Sequence, residues 1–252
     1  MTYSVALAGK GGTGKTTLAS LIIRFLHTKR KGPILAVDAD PNTNLPEGLG
    51  LEVKETVGKM LAGFMEEKLN FPQGMSKETY MEYRLNELLV ESKGLDLLVM
   101  GRGEGTGCYC YPNVILRKYI DILTRNYPYV VLDNEAGMEH VSRRLSDRVD
   151  LMLIVSDYSL KGVRSAGRIR ELTQELKLEV GKQFLVINRA PEHLANSIRE
   201  EVERQGLNLL GVIPVDEEVF QYDLKGTPIM NLPDESKAVK MVNELMNGVI
   251  LN

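Results

Sequence analysis

The sequence predicts a doubly wound α/β fold, a mostly parallel sheet flanked by helices. Three observations carry this. Short apolar runs alternate with longer amphipathic stretches along all 252 residues. The runs are rich in Val, Ile and Leu and mostly continuous, the pattern of strands buried on both faces. A glycine-rich turn joins the first apolar run to the first helical stretch, at the end of a strand where open parallel sheets bind ligands.

Taken in order, strands are expected at Tyr3–Ala8, Ile34–Val37, Leu95–Met100, Val130–Asp133, Leu151–Val155, Phe184–Ile187 and Leu209–Ile213. Helices are expected at Thr16–Lys29, Glu78–Glu91, Val114–Arg125, Lys161–Lys177, His193–Arg204 and Ser236–Met246. The clearest is Lys161–Lys177, where Val163, Ala166, Ile169, Leu172 and Leu176 form one stripe. Leu51–Gly94 looks helical and reads as an insertion or flank. The βαβα order implies parallel strands with crossover helices. With no repeat, low-complexity tract or linker, residues 1–252 read as one domain.

Composition narrows the function classes. The chain is 43% hydrophobic and 26% charged, as in an ordinary soluble globule. A net charge of −3 argues against a general nucleic-acid or acidic-membrane binder. The apolar runs are too short to span a bilayer, and no signal peptide is visible. Cys108 and Cys110 are the only cysteines, so disulfides do not hold the fold and a cytoplasmic location is expected.

Gly9-Lys10-Gly11-Gly12-Thr13-Gly14-Lys15-Thr16 matches the phosphate-loop pattern G-x-x-x-x-G-K-[ST], followed by Thr17. Glycines let successive N–H groups converge on phosphate oxygens, and the following helix adds its positive end. Lys15 is expected on the β- and γ-phosphates and the Thr16 hydroxyl on Mg²⁺. With Lys10, the loop resembles the deviant Walker A loop of the MinD/ParA/nitrogenase-iron-protein class. The resemblance implies an ATPase in which Lys10 contacts nucleotide across a homodimer, a cation supplied in trans.

Further segments fit that class. Asp38-Ala39-Asp40-Pro41-Asn42 ends the second strand. By resemblance Asp40 orients the attacking water, and Asp38 sits near Mg²⁺. Val130–Asp133 has the Walker B form, with Asp133 on Mg²⁺ directly or through water. Asn134-Glu135-Ala136-Gly137 resembles the second switch, although Glu135 stands where class members often have Pro or Gly. Asn188-Arg189 and Ile213-Pro214-Val215-Asp216 resemble the adenine-contacting segments, favouring ATP over GTP; no N-K-x-D guanine motif is present.

Cys108-Tyr109-Cys110 follows a glycine-rich loop. A C-x-C pair can put two thiolates on one metal, and a two-fold homodimer supplies four. Four thiolates suit Zn²⁺ or Ni²⁺. A redox dithiol and an inert pair remain alternatives, while a C-x-C disulfide would be strained. Together with Asp133–His140, the C-x-C resembles the CooC/AcsF-type nickel-insertion ATPases. The resemblance spans Gly9–Thr17, Asp38–Asp40, Cys108–Cys110, Asp133–His140 and Asn188. It implies ATP and ADP with Mg²⁺, Ni²⁺ or Zn²⁺ at the dimer interface, and a client enzyme, carbon monoxide dehydrogenase or acetyl-CoA synthase. Neither nucleic acid nor membrane is an expected partner. The competing reading is a MinD/ParA-like positioning or regulatory switch. Against it, Lys237–Asn252 has only Lys237 and Lys240 where a membrane helix would be lysine-rich. A [4Fe–4S] electron donor would need a cysteine near the second switch, and Asp133–His140 has none.

Overall fold

The structure is a computed structural model, described for residues 2–29, 32–66, 74–102, 118–134, 148–191 and 193–250. The order is β1 (Tyr3–Gly9), α1 (Lys15–Lys29), β2 (Ile34–Ala39), α2 (Leu45–Leu49), α3 (Val57–Glu66), α4 (Lys77–Glu87), β3 (Val90–Ser92) and β4 (Leu95–Val99). Helical residues 118–124 form α5. Then come β5 (Tyr129–Asn134), β6 (Arg148–Asp157), α6 (Leu160–Glu175), β7 (Glu179–Ala190), α7 (Asn196–Arg204), β8 (Leu209–Pro214), α8 (Glu217–Leu224) and α9 (Lys237–Ile250).

The eight strands form one sheet in the order β3-β4-β2-β5-β1-β6-β7-β8. All neighbours are parallel except β3 and β4. The expected doubly wound architecture is the observed one. Alternate residues of each strand feed opposite faces. Val5, Leu7, Ala36, Val131 and Leu153 pack under α1, α2 and α9. Ala6, Ala8, Val37, Leu132 and Ile154 pack under the helices of the other face. Burial on both faces explains why the central strands read as unbroken apolar runs.

Several boundaries differ from expectation, each for a physical reason. The helix expected to run to Glu91 stops at Glu87, and Val90–Ser92 turns back on β4 as an antiparallel strand. Gly94, at φ 74°, makes the two-residue turn. β7 begins at Glu179 rather than Phe184. Its first half pairs with β6 alone, and β8 joins only at Leu185. Polar Lys182 and Gln183 are tolerated on that open edge. Leu176 does not complete the apolar stripe. It sits at the C-cap of α6 and is 37% exposed.

α8 was not expected. Its start is set by Asp216, whose side chain accepts from the Glu218 N–H at 3.0 Å. The other carboxylate oxygen accepts from the Ser236 hydroxyl at 2.6 Å and the Ala238 N–H at 2.9 Å, at the start of α9. One residue thereby caps two helices.

Leu153, fully buried in β6 between β1 and β7, tests the core. Leu153→Ala should lower unfolding stability by about 3 kcal/mol in urea titration, the cost of a buried cavity.

Candidate nucleotide site

The C-terminal ends of β1, β2, β5 and β7 converge on one rim. β1 pairs with β6 up to Gly9 opposite Val155. A Cβ at Gly9 would overlap the Val155 carbonyl oxygen, so the chain can leave the sheet there only as glycine. The loop then folds on itself. The Thr13 hydroxyl donates to the Lys10 carbonyl at 2.9 Å, and the Lys15 ammonium donates to the same oxygen at 3.4 Å. Lys15 is 6% exposed, whereas Lys10 is exposed. α1 opens at Lys15 with no acidic residue in its first turn. No acid within the helix itself therefore offsets its positive end, an arrangement suited to an anion.

Gly11, Gly12, Gly14, Thr16 and Thr17 lie on the same loop and first turn, with Gly11 and Gly12 exposed. The phosphate-loop residues singled out in the sequence are thus together.

Two carboxylates face this loop. Asp38 and Asp133 are register partners on adjacent strands β2 and β5, and both are fully buried. Asp38 has a structural task. Its oxygens accept from the Asp40 N–H at 3.0 Å and the Leu45 N–H at 3.1 Å, holding the turn after β2. Asp40 is half-buried, and its Oδ1 accepts from the N–H and side-chain amide of Asn42 at 2.8 and 2.9 Å. Neither oxygen of Asp133 has a well-formed hydrogen bond. Burial pushes the Asp133 carboxyl up to about 6, against the nearby Thr16 hydroxyl and Lys15 ammonium. Burial, reinforced by Asp133, pushes Asp38 up to about 7. An orphaned buried carboxylate beside a threonine hydroxyl has the hard oxygen donors that Mg²⁺ requires. Asp133 and Thr16 therefore fit the expected ion.

Beside the phosphate loop lies a cleft of about 410 Å³ whose lining includes Gly14, Asn188, Arg189, Pro214, Val215 and Phe220. Asn188, Arg189 and Pro214 were singled out in the sequence, and the structure brings them together. Val215 lies in the segment Ile213–Asp216 singled out with them, whereas Phe220 was not, because α8 was not foreseen. The signal was an aspartate followed by Glu217 and Glu218, a helix start with acids in its first turn. Asn188 is occupied in an unexpected way. Its amide donates to the Thr13 carbonyl at 2.9 Å, and its oxygen accepts from the Arg189 N–H at 3.0 Å.

Cys108, Cys110 and Glu135–His140 lie outside the described residues. Among the described residues, no group of three or more His, Cys, Asp or Glu side chains could hold a metal ion, and no helix is long and apolar enough to cross a membrane.

Residues 4–229 match the CobQ/CobB/MinD/ParA nucleotide-binding domain. The chain belongs to this family. An uncharacterized ATP-binding protein of Methanocaldococcus jannaschii is 43% identical over 248 residues, 98% of each chain. The carbon monoxide dehydrogenase accessory protein CooC of Rhodospirillum rubrum is 28% identical over 246 residues, covering 90% of this chain and 89% of CooC. The septum site-determining protein MinD of Pyrococcus horikoshii, solved with Mg-ADP, superposes with a TM-score of 0.70 at 21% identity, covering 99% of this chain and 96% of MinD. Membership places the chain among P-loop proteins that bind ATP, and the MinD likeness matches the eight-stranded fold.

The raised carboxyls make stability pH-dependent with a defined sign. Folded Asp133 sits near 6 against an ordinary 3.8, so the folded chain binds more protons in that window. Its contribution is present below about pH 4 and is lost as pH rises through about 6. The stability of Asp133→Asn relative to the natural chain should grow by roughly 3 kcal/mol as pH rises from below about 4 to 7, without nucleotide or metal. Urea titration at a series of pH values measures this, and parallel curves for the two chains would contradict it.

Proposed function

We propose that the chain is an ATP-dependent maturation factor of the CooC/AcsF type, a single P-loop ATPase domain acting as a nucleotide-gated homodimer. The observation that carries the ATPase part is the orphaned Asp133 carboxylate facing Thr16 and Lys15 at the mouth of the phosphate loop. The 28% identity to CooC along most of both chains supports the nickel part.

In this reading Gly9–Thr17 wraps the phosphates and Lys15 neutralises their charge. Thr16 and Asp133 hold Mg²⁺, with Asp38 fixing the turn beside it. Bound there, Mg²⁺ supplies charge neutralisation on the phosphate oxygens. Asp40 orients the attacking water, and hydrolysis yields ADP and phosphate. The exposed Lys10 reaches nucleotide in the second copy. Asn188, Arg189 and Pro214 border the base. Cys108 and Cys110 of each copy bind Ni²⁺ or Zn²⁺ as cargo at the dimer interface, for delivery to carbon monoxide dehydrogenase or acetyl-CoA synthase. Closure by ATP assembles the thiolates, and hydrolysis releases them.

The second reading is a MinD/ParA-like positioning or regulatory switch, favoured by the structural likeness to MinD. It has no need of Cys108 or Cys110. Titration of the reduced chain with Ni²⁺ in the presence of ADP or ATP separates the two, read by thiolate-to-nickel absorbance and by mass in solution. Charge-transfer bands accompanied by a dimer are expected, and Cys108→Ala should abolish both. Dimerisation unchanged in that variant, with no metal taken up by either chain, sinks the nickel reading. Lys15→Ala should reduce ATP turnover at least 100-fold, about 3 kcal/mol of lost charge stabilisation. Persistent phosphate release in this variant would overturn the assigned site.

A further inference from the structure

Arg189 and Asn188 sit at the end of β7, beyond the phosphate loop in sequence but against it in space. The Arg189 guanidinium donates to the Gly12 carbonyl, and the Asn188 amide donates to the Thr13 carbonyl at 2.9 Å. Two consecutive carbonyls of the loop are thereby tied to one strand end. A trans peptide is planar, so its C=O and the following N–H point in opposite directions. Drawing the Gly12 and Thr13 carbonyls toward β7 turns the next N–H groups, on Thr13 and Gly14, away from β7. The Thr13 N–H makes only a long 3.4 Å bond back to Lys10.

The arrangement is costly locally. Arg189 has φ 53°, a left-handed conformation that side-chain-bearing residues seldom adopt. Its N–H is held there by the Asn188 side-chain oxygen at 3.0 Å. Gly14 leaves room for Asn188, since a Cβ at Gly14 would overlap the Asn188 amide nitrogen. Backbone strain, a close approach and two side-chain bonds all serve one contact between β7 and the loop.

We infer that Arg189 is a positioning residue for the phosphate loop, acting with Asn188 to aim its N–H groups, rather than a reader of the base. The inference rests on the ATP-binding reading above. It makes Arg189 matter equally for ligands with and without a purine.

Arg189→Gly is the test, because glycine relieves the left-handed backbone while removing the guanidinium. Binding of MgATP and of magnesium tripolyphosphate, which has no base, is measured by calorimetry alongside the thermal midpoint. The expected result is an unchanged or raised midpoint with both affinities weakened about tenfold, the worth of one charge-assisted bond. Arg189→Met, which keeps the stem and the strained backbone, should lose both affinities likewise. Loss of MgATP affinity alone makes Arg189 a base contact and overturns the inference, as does retention of both affinities in either variant. If the natural chain binds neither ligand, the ATP-binding reading itself has failed.

Discussion

Parallel pairing of β2, β5 and β1 sets the chemistry of this rim. In-register pairing brings Asp38 beside Asp133 and Asp133 beside Leu7, in a layer from which water is excluded. Two like charges in such a place repel and are poorly solvated, so each favours its neutral form. The chain relieves half of the problem internally. Asp38 receives two backbone N–H groups and becomes the anchor of the following turn. Asp133 receives no comparable support. The imbalance leaves one acceptor seeking a cation, beside a loop built to receive anions. Metal and phosphate would thus each supply what the other's binding surface lacks.

The phosphate loop is braced from several sides. β6 crowds Gly9 at its entry, β7 grips its middle through Asn188 and Arg189, and Lys10 gathers Thr13 and Lys15 onto one carbonyl. Such bracing limits how far the loop must reorganise when ligand arrives, which is the physical meaning of preorganisation. Asn134 adds a strut nearby, donating from its buried amide to the Leu7 carbonyl at 2.9 Å.

The sheet and the phosphate loop were legible because both rest on local signals. Val-, Ile- and Leu-rich runs report burial on two faces, and the glycine spacing reports a loop that must bend around an anion. All seven expected strands exist, with boundary shifts that follow from pairing. What stayed hidden depends on contacts distant in sequence. Whether Glu179–Gln183 is extended depends on β6, not on its own polar composition. Asn188 reads as a base contact from its place after a strand, whereas its amide is already engaged by a carbonyl 175 residues away. Asp38 reads as a metal neighbour, and only the fold reveals its two backbone donors. α8 lacked the apolar stripe that normally announces a helix, since none of its residues is buried.

That last property has a consequence for traffic through the cleft beside the phosphate loop. Phe220 and Leu224 are 58% and 69% exposed, so the apolar anchorage of α8 comes from the partly buried Val219 and Tyr222. Its polar ties run through Asp216 to α9 and through the Tyr222 hydroxyl to the Asn231 carbonyl at 3.2 Å. An element held this way opens at low free-energy cost, without disturbing the sheet beneath. That wall of the cleft is therefore only lightly held. A ligand in that cleft could leave by displacement of one short helix, while the braced phosphate loop keeps its shape.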